Sequence, residues 1–465
     1  MMDKSTFSNW DTEADVVVVG SGVAGLAAAV EAKNAGASVV VLEKRSSCGG
    51  NSIMSDGGVA LAGTDFQKQY GILDSWELMY EDMLRAGLNM NDASLAKIVA
   101  QQSNSVLEWL TEYLAVKFRH KPIIFGGHSV PRIHLLHNFS GTAIVKPLLS
   151  KVKELGIEIK TNICLTKFGK DVREIEVYDK KENQARAVYA NTGVVLATGG
   201  FGGDVAFRIL HDARLTSTVG NTNRLDTTAE GMLEAIKIGA SSVHLEYIQL
   251  SPWSSPDEKR DKIATEFFYT VFPYGIVVNP LTGKRFFNEL ADRKIRADSI
   301  LDVGQPSIGI ADLEGMNISG HNMDRYLSMN IVKRFEDLEE LAAAYSLPYQ
   351  ALKETIDRYN KYVENKKDES WQKPIPLDAK PLHAPYYAMR LWPKVHYTMG
   401  GVTINAKAQV IDNNGQPIKG LYAAGEVTGG IHGASRLGGS SLTECLVFGR
   451  IAGKNAALQK FTSIS

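Results

Sequence analysis

Apolar residues along this chain fall into two kinds of run. Short unbroken stretches of β-branched residues alternate with longer stretches in which small apolar residues mix with charged ones. The first run, Val16-Val17-Val18-Val19, lies inside "ADVVVVGSGVAGLAAAVEAKNAGASVVVLEK". An uninterrupted β-branched run suits a strand buried in a parallel sheet. The alanine-rich segment behind it predicts a helix, and "SVVVLEK" predicts a second strand. Two more apolar runs recur far downstream, "TGVVLATGGFGG" at 192–203 and "IKGLYAAGEVTGG" at 418–430, each closing in glycines. Between them, "DLEELAAAYSLPYQALKETIDRYNKYVENKKDE" reads as helix–turn–helix, with Pro348 starting the second helix and Lys366–Glu369 as a solvated turn. No apolar run reaches the roughly 18 residues of a membrane-spanning helix.

The turn after the first strand carries chemistry. It reads Gly20-Ser21-Gly22-Val23-Ala24-Gly25, a GxGxxG pattern. Gly20 makes the tight turn, Gly22 lets a pyrophosphate reach the backbone, and Gly25 lets helix and strand pack closely. The start of the helix offers free N–H groups and a positive dipole end. Glu43 closes the second strand 23 residues after Gly20, with Lys44 beside it, where a ribose hydroxyl needs an acceptor. Together these features point to a dinucleotide.

Three later segments favour FAD over NAD. "CGGNSIMSDGGVALAG" (48–63) holds Gly50, Asn51, Ser52, Gly57 and Gly58, a loop suited to further phosphate and ribityl contacts. The 192–203 strand ends in Ala197, Thr198, Gly199 and Gly200, and the 418–430 strand ends in Gly425 and Glu426, which could bond the ribityl chain. Each could be an ordinary turn by itself. A sheet drawn from the beginning, middle and end of the chain, with glycines at each strand end, is the α/β arrangement of the FAD-binding, Rossmann-like two-dinucleotide-binding flavoproteins.

Bulk properties narrow the rest. A chain of 465 residues is expected to form two domains. Its 44% apolar and 22% charged residues are ordinary for a globular protein, and a net charge of -1 gives no footprint for nucleic acid or anionic membrane. Cys48, Cys164 and Cys445 form no CxxC pair, haem-attachment motif or zinc pattern, so a reducing cytoplasm and no metal are expected. The N-terminal stretch lacks the features of a secretory signal.

The motifs Gly20–Gly25, "GGNS", "ATGGFGG", "HYTMGG", "AAGEVTGG" and "HGASRLGGSSLTECLVFGRIAGKNAA" together resemble the soluble fumarate reductase and succinate dehydrogenase flavoprotein superfamily, from about residue 14 to 460. The resemblance implies a discontinuous FAD domain, 1–244 and 394–465, with an inserted α+β capping domain at 245–393. It also carries Ser441 and Leu442 into the cofactor set. Membrane-bound members tether FAD through a histidine six residues before a Gly-Gly pair. Asn51 stands at that distance from Gly57, so the resemblance implies non-covalent FAD here. The chain is too short for the haem domains of some soluble members, which implies a separate electron donor.

The chemistry expected of such a site is reduction of a C=C bond beside a carboxylate, with a hydride from flavin N5 and a proton from the opposite side. Cations holding the carboxylate would stabilise the charge that builds there. The resemblance assigns the clamp to His396 and Arg436 and the proton donor to Arg293, with Glu266 as its relay. An arginine acid works only if its proton is replaced in concert, because free arginine hardly ever loses it. Taken alone, the stretch around Arg436 favours pairing with a structural carboxylate. Arg285 and Arg296 read as structural or surface groups.

Fumarate reductases hold the second carboxylate of a dicarboxylic acid with a histidine in "IQ-x-HP". This chain reads "YIQLSPW", with Ser251 at that position. Nearby Trp253, Phe267, Phe268, Tyr269, Phe272 and Tyr274 either pack the cap core or line an uncharged pocket. A mono-carboxylic enoate of the acrylate, cinnamate or urocanate type is therefore expected. The competing readings are fumarate reductase or succinate dehydrogenase activity, a 3-ketosteroid-type dehydrogenase, and an electron-transfer flavoprotein subunit without its own substrate.

Overall fold

The computed structural model describes residues 10–258, 267–319 and 324–461, so Glu266 lies outside the described residues. Contacts divide the chain into two compact units. The first holds the chain up to Asp212, then Asn223–Gln249 and Tyr397 onward; the second holds Ala213–Thr222 and Leu250–His396. The family resemblance puts the breaks at 244/245 and 393/394 and leaves 213–222 in the first domain. Backbone pairing explains the difference: Thr222 donates its N–H to the Val395 carbonyl at 2.8 Å and Asn221 bridges Val395, which draws this segment into the second unit.

In the first unit, β1 (Thr12–Val19), α1 (Val23–Asn34) and β2 (Val39–Glu43) form where the apolar runs predict. They join β3 (Glu158–Thr161), β4 (Ile163–Phe168), β5 (Glu174–Asp179), β6 (Gln184–Leu196), β7 (Gln409–Ile411) and β8 (Pro417–Ala423). The sheet runs β7-β8-β6-β1-β2-β3, and β5 and β4 extend it from β6. Neighbours β8, β6, β1, β2 and β3 are parallel, with Val18 opposite both Val41 and Val195. Their carboxyl ends therefore share one edge, where ligands of open α/β sheets bind.

Helix α2 (Ser440–Leu458) lies against α1, and both are rich in small residues. A Cβ built on Gly449 would stand 2.5 Å from the Ala24 carbonyl oxygen, and one on Gly453 would stand 2.0 Å from that of Ala28. The two glycines are four residues apart, so they share one face of α2 and let the helices meet backbone to backbone. Gly453→Ala is accordingly expected to cost about 1–3 kcal/mol, as overpacking does. A lower urea midpoint together with reduced flavin retention would show it, and an unchanged midpoint would refute the packing argument.

The second unit is built on an antiparallel four-stranded sheet in the order Ile276–Val278, Ser307–Asp312, Tyr386–Leu391, Lys333–Phe335. Helix Tyr349–Glu364 buries Leu352, Ile356, Tyr359 and Val363, with Pro348 as its N-cap. The expected solvated turn at 366–369 holds for Lys366, Lys367 and Glu369, which are exposed, and needs correction at Asp368. Asp368 is 4% exposed and accepts a 2.7 Å bond from Arg285, which also grips Glu289 with two nitrogens. A buried arginine that must be neutralised outweighs the polarity of the surrounding run. This ion cluster makes Arg285 structural and secures the chain leading to helix Arg293–Asp302. Among the described residues, no helix is long and apolar enough to cross a membrane.

Candidate active site and cofactor cradle

The cradle assembles at the shared sheet edge. Gly20 has φ +108°, and a Cβ there would stand 2.3 Å from the Ala197 carbonyl oxygen, so only glycine fits between the ends of β1 and β6. Gly25 closes on Gly20 with similar tightness. Gly22 caps α1 without a side-chain bond, and a Cβ built on it would have Ser52 Oγ as its neighbour among the described residues, at 3.7 Å. Ser52 accepts the Val23 N–H at 3.1 Å, and a Cβ on Gly50 would lie 3.6 Å from Gly22 Cα. The 48–58 loop thus stands over the start of α1, and Ala24, one residue on, meets Gly425 and Gly449.

The remaining cradle residues have defined places. Glu43 is buried and accepts bonds from Ser21 N at 3.0 Å and Arg45 N at 2.9 Å. Lys44 bonds Thr228 and pairs with Glu230. Asn51 is held by Asn223, Arg224 and Thr227. Gly57 and Gly58 lead into the short strand Gly58–Ala60. Thr198 packs against Gly231, and Gly199 at φ +79° has open space where a Cβ would point. Gly200 backs onto Thr398 and Glu426. Gly425 donates its N–H to Glu444 at 3.1 Å. Helix α2 starts at Ser440 without a side-chain cap, leaving the first-turn N–H groups of Ser441 and Leu442 for another acceptor. Two uncapped helix starts and glycine-only backbone at the strand ends fit a dinucleotide that carries phosphates.

Arg436 lies in the loop before α2 and is 6% exposed. Its Nη1 donates to the Leu437 carbonyl at 2.8 Å, and its Nε is buried with no acceptor among the described residues. Among the described residues, no carboxylate pairs with it. Its guanidinium lies 4.5 Å from the centre of the Tyr397 ring. Burial pushes Arg436 below the ordinary arginine range, opposed by Tyr397 and Glu426. Burial also holds Glu426 up at about 7 and Glu444 at about 8, and with Arg436 nearby it holds His432 down at about 3. His432 is therefore neutral and sits edge-on to Tyr397 at 5.7 Å. A charged fork in this dry setting is short of an anion.

The second unit gathers its own group. His396 Nδ1 bonds Thr222 Oγ1 at 2.8 Å, and its ring meets Trp253 edge-on at 5.7 Å. The Arg293 guanidinium lies 5.2 Å from the Trp253 ring centre, and Phe268 stands 5.4 Å away from it. Arg293 is the first residue of its helix, after the Asp292 cap. Phe267 and Phe272 are buried in the core of this unit, whereas Trp253 and Phe268 are only partly covered. Ser251 is fully buried, its hydroxyl bonded to Ser254 Oγ at 2.7 Å and to the Lys394 carbonyl at 3.2 Å. Arg296 packs on Phe272 and bonds the Glu289 carbonyl.

Several contributors escape a reading of the motifs. Gln249 donates to Ser435 Oγ at 3.2 Å and to the Arg436 carbonyl at 2.9 Å, fixing the loop from within "YIQLSPW". Tyr397 is signalled only by adjacency to His396 in "HYTMGG" and Glu444 only by lying in the C-terminal motif, and Thr222 has no local signal.

A family profile for the FAD binding domain matches residues 15–442. The chain is 40% identical to the acrylate reductase flavoprotein subunit of Shewanella woodyi, over 96% of this chain and 91% of that protein. It is 32% identical to the urocanate reductase of Eggerthella lenta, over 96% of this chain and 75% of that protein. The open conformation of a flavocytochrome c3 fumarate reductase matches it with a TM-score of 0.81 at 35% identity, over 97% of this chain and 79% of the other.

Proposed function

The chain belongs to the FAD binding domain family and is an FAD-dependent oxidoreductase acting on C=C bonds, and from that premise we propose that it reduces an α,β-unsaturated monocarboxylate. The observation that carries this reading is Arg436: buried, stacked on Tyr397 and paired with no carboxylate of the described chain. A guanidinium desolvated in this way gains most from a ligand carboxylate that presents two oxygens.

Bound FAD supplies the hydride. Arg436 takes the carboxylate and stabilises the charge that gathers on its oxygens as the alkene is reduced, an effect strengthened where water is excluded. His396, its ring oriented by Thr222, adds a second donor to the same acid. Arg293 gives its proton to the neighbouring carbon, and Glu266 is the proposed relay. Asn51 offers an amide, not an imidazole, at the tether position, which favours non-covalent binding. The three cysteines form no disulfide, in keeping with a reducing cytoplasm, and electrons come from a separate donor.

The choice of a monocarboxylate rests on Ser251, whose hydroxyl is spent on Ser254 and Lys394 and offers no cation to a second carboxylate. The likeness to acrylate and urocanate reductases supports the same choice. The test is anaerobic: enzyme reduced with dithionite is mixed with acrylate, cinnamate, urocanate or fumarate, and flavin reoxidation is followed. One of the monocarboxylates should reoxidise it at least about tenfold faster than fumarate, a modest factor for a site lacking one charged contact. Fumarate turning over as fast as the best of them would refute the assignment.

A further inference from the structure

Among the described residues, the guanidinium of Arg436 makes one hydrogen bond, to the neighbouring Leu437 carbonyl, so its position follows the 437–438 backbone. That backbone is held from a distant part of the chain. His128, 7% exposed, places Nε2 2.9 Å from the Gly438 carbonyl oxygen. A carbonyl can only accept, so Nε2 carries the proton and donates. Nδ1 is then left as an acceptor facing Arg132 Nη1 at 3.5 Å. The Leu437 side chain is seated alongside, since a Cβ on Gly127 would stand 2.7 Å from Leu437 Cδ2.

Behind His128 stands a buried ion cluster. Arg132 is fully buried, bonded to Asp74 at 2.8 and 3.1 Å and to Asp82 at 2.6 Å. Asp82 also accepts the Ser129 N–H at 2.7 Å, which ties His128 to the cluster through the backbone. The helix that carries Asp82, Trp76–Ala86, ends at Gly87, whose carbonyl accepts the Ala434 N–H at 3.0 Å. Asn91, just beyond, donates to the Ile431 carbonyl at 2.9 Å. The loop bearing Arg436 is thus gripped on both flanks by one assembly.

We infer that His128 is a positioning residue for Arg436, acting through the Gly438 carbonyl and made rigid by the Asp82–Arg132 pair. The inference rests on the carboxylate-binding role proposed above for Arg436. Its purpose in the reaction is alignment: misplacing a binding group by about 1 Å can cost on the order of 10²-fold.

The test uses FAD-loaded His128→Leu and His128→Gln, with propionate and 3-phenylpropionate as non-reacting probes read by flavin absorbance. His128→Leu should raise the KM for the enoate and the probe Kd about tenfold, with flavin content and the rate of dithionite reduction unchanged. His128→Gln, whose amide nitrogen reaches about as far as imidazole Nε2, should recover both constants to within about threefold. Loss of flavin, or equal damage in both variants, would mark a role in packing alone and overturn the inference. Arg436→Met separates the two readings. If its probe Kd is native, the role of Arg436 fails and the inference falls with it. If it is weakened while His128→Leu keeps a native KM, only the positioning inference falls.

Discussion

Replacing Arg436 with methionine is expected to lower kcat/KM for the enoate by about 10²–10⁴ while the flavin stays bound, the range for removing one partner of a buried charge pair. Stability should not follow activity. Most buried arginines neutralise a carboxylate of their own chain, so deleting one strands that partner. Here no carboxylate of the described chain pairs with the guanidinium, and its Nε has no acceptor. Methionine removes an uncompensated charge and keeps much of the volume, so the thermal midpoint should hold or rise. Arg436→Lys should not restore activity, because an ammonium lacks the planar fork. Thermal midpoint, flavin absorbance and steady-state kinetics together decide it. Turnover within threefold of native would remove Arg436 from the reaction.

The second large effect is expected at Arg293. Arg293→Gln should slow reoxidation of the reduced enzyme by the enoate about 10²–10⁴-fold, the usual contribution of a positioned acid. Flavin reduction by dithionite should be untouched, because no proton is delivered to substrate in that half-reaction. Binding of propionate should also persist, since the acid contacts carbon and not the carboxylate. The helix that begins at Arg293 is capped by Asp292, a bond that the substitution leaves in place. Single-turnover reoxidation and the probe Kd are the paired measurements. A reoxidation rate within tenfold of native would require a different proton donor.

The two predictions rest on parts of the chain that were unequally legible in its sequence. The strand–turn–helix of the candidate cofactor cradle could be read because its pattern is local: Gly20, Gly22 and Gly25 lie within six residues, and the strand that feeds them is a plain β-branched run. The surroundings of Arg436 could not be read in the same way. Tyr397 and Gln249 reach it only after strands far apart in the chain come together, and no spacing rule links them. Asp368 looked solvated because its neighbours Lys366, Lys367 and Glu369 are charged; its partner Arg285 lies 83 positions away. The 213–222 segment has no composition that marks it, and its pairing with Val395, the Thr222–His396 bond and the Arg214 pairs with Asp298 and Asp302 tie it to the second unit. Periodicity reports which face of an element is covered, not what covers it.

The contact of α1 with α2 sets a length as well as a packing. Gly449 lies opposite Ala24, at the first turn over the phosphate seat, and Ser440 begins the helix that follows the Arg436 loop. Nine helical steps separate Ser440 from Gly449, a span of about 14 Å. That stretch is a ruler between the phosphate seat proposed at the start of α1 and the carboxylate grip proposed for Arg436. Inserting one residue into it would swing the loop by about 100° and advance it by about 1.5 Å, whereas residues added beyond Gly453 would leave the gauge untouched.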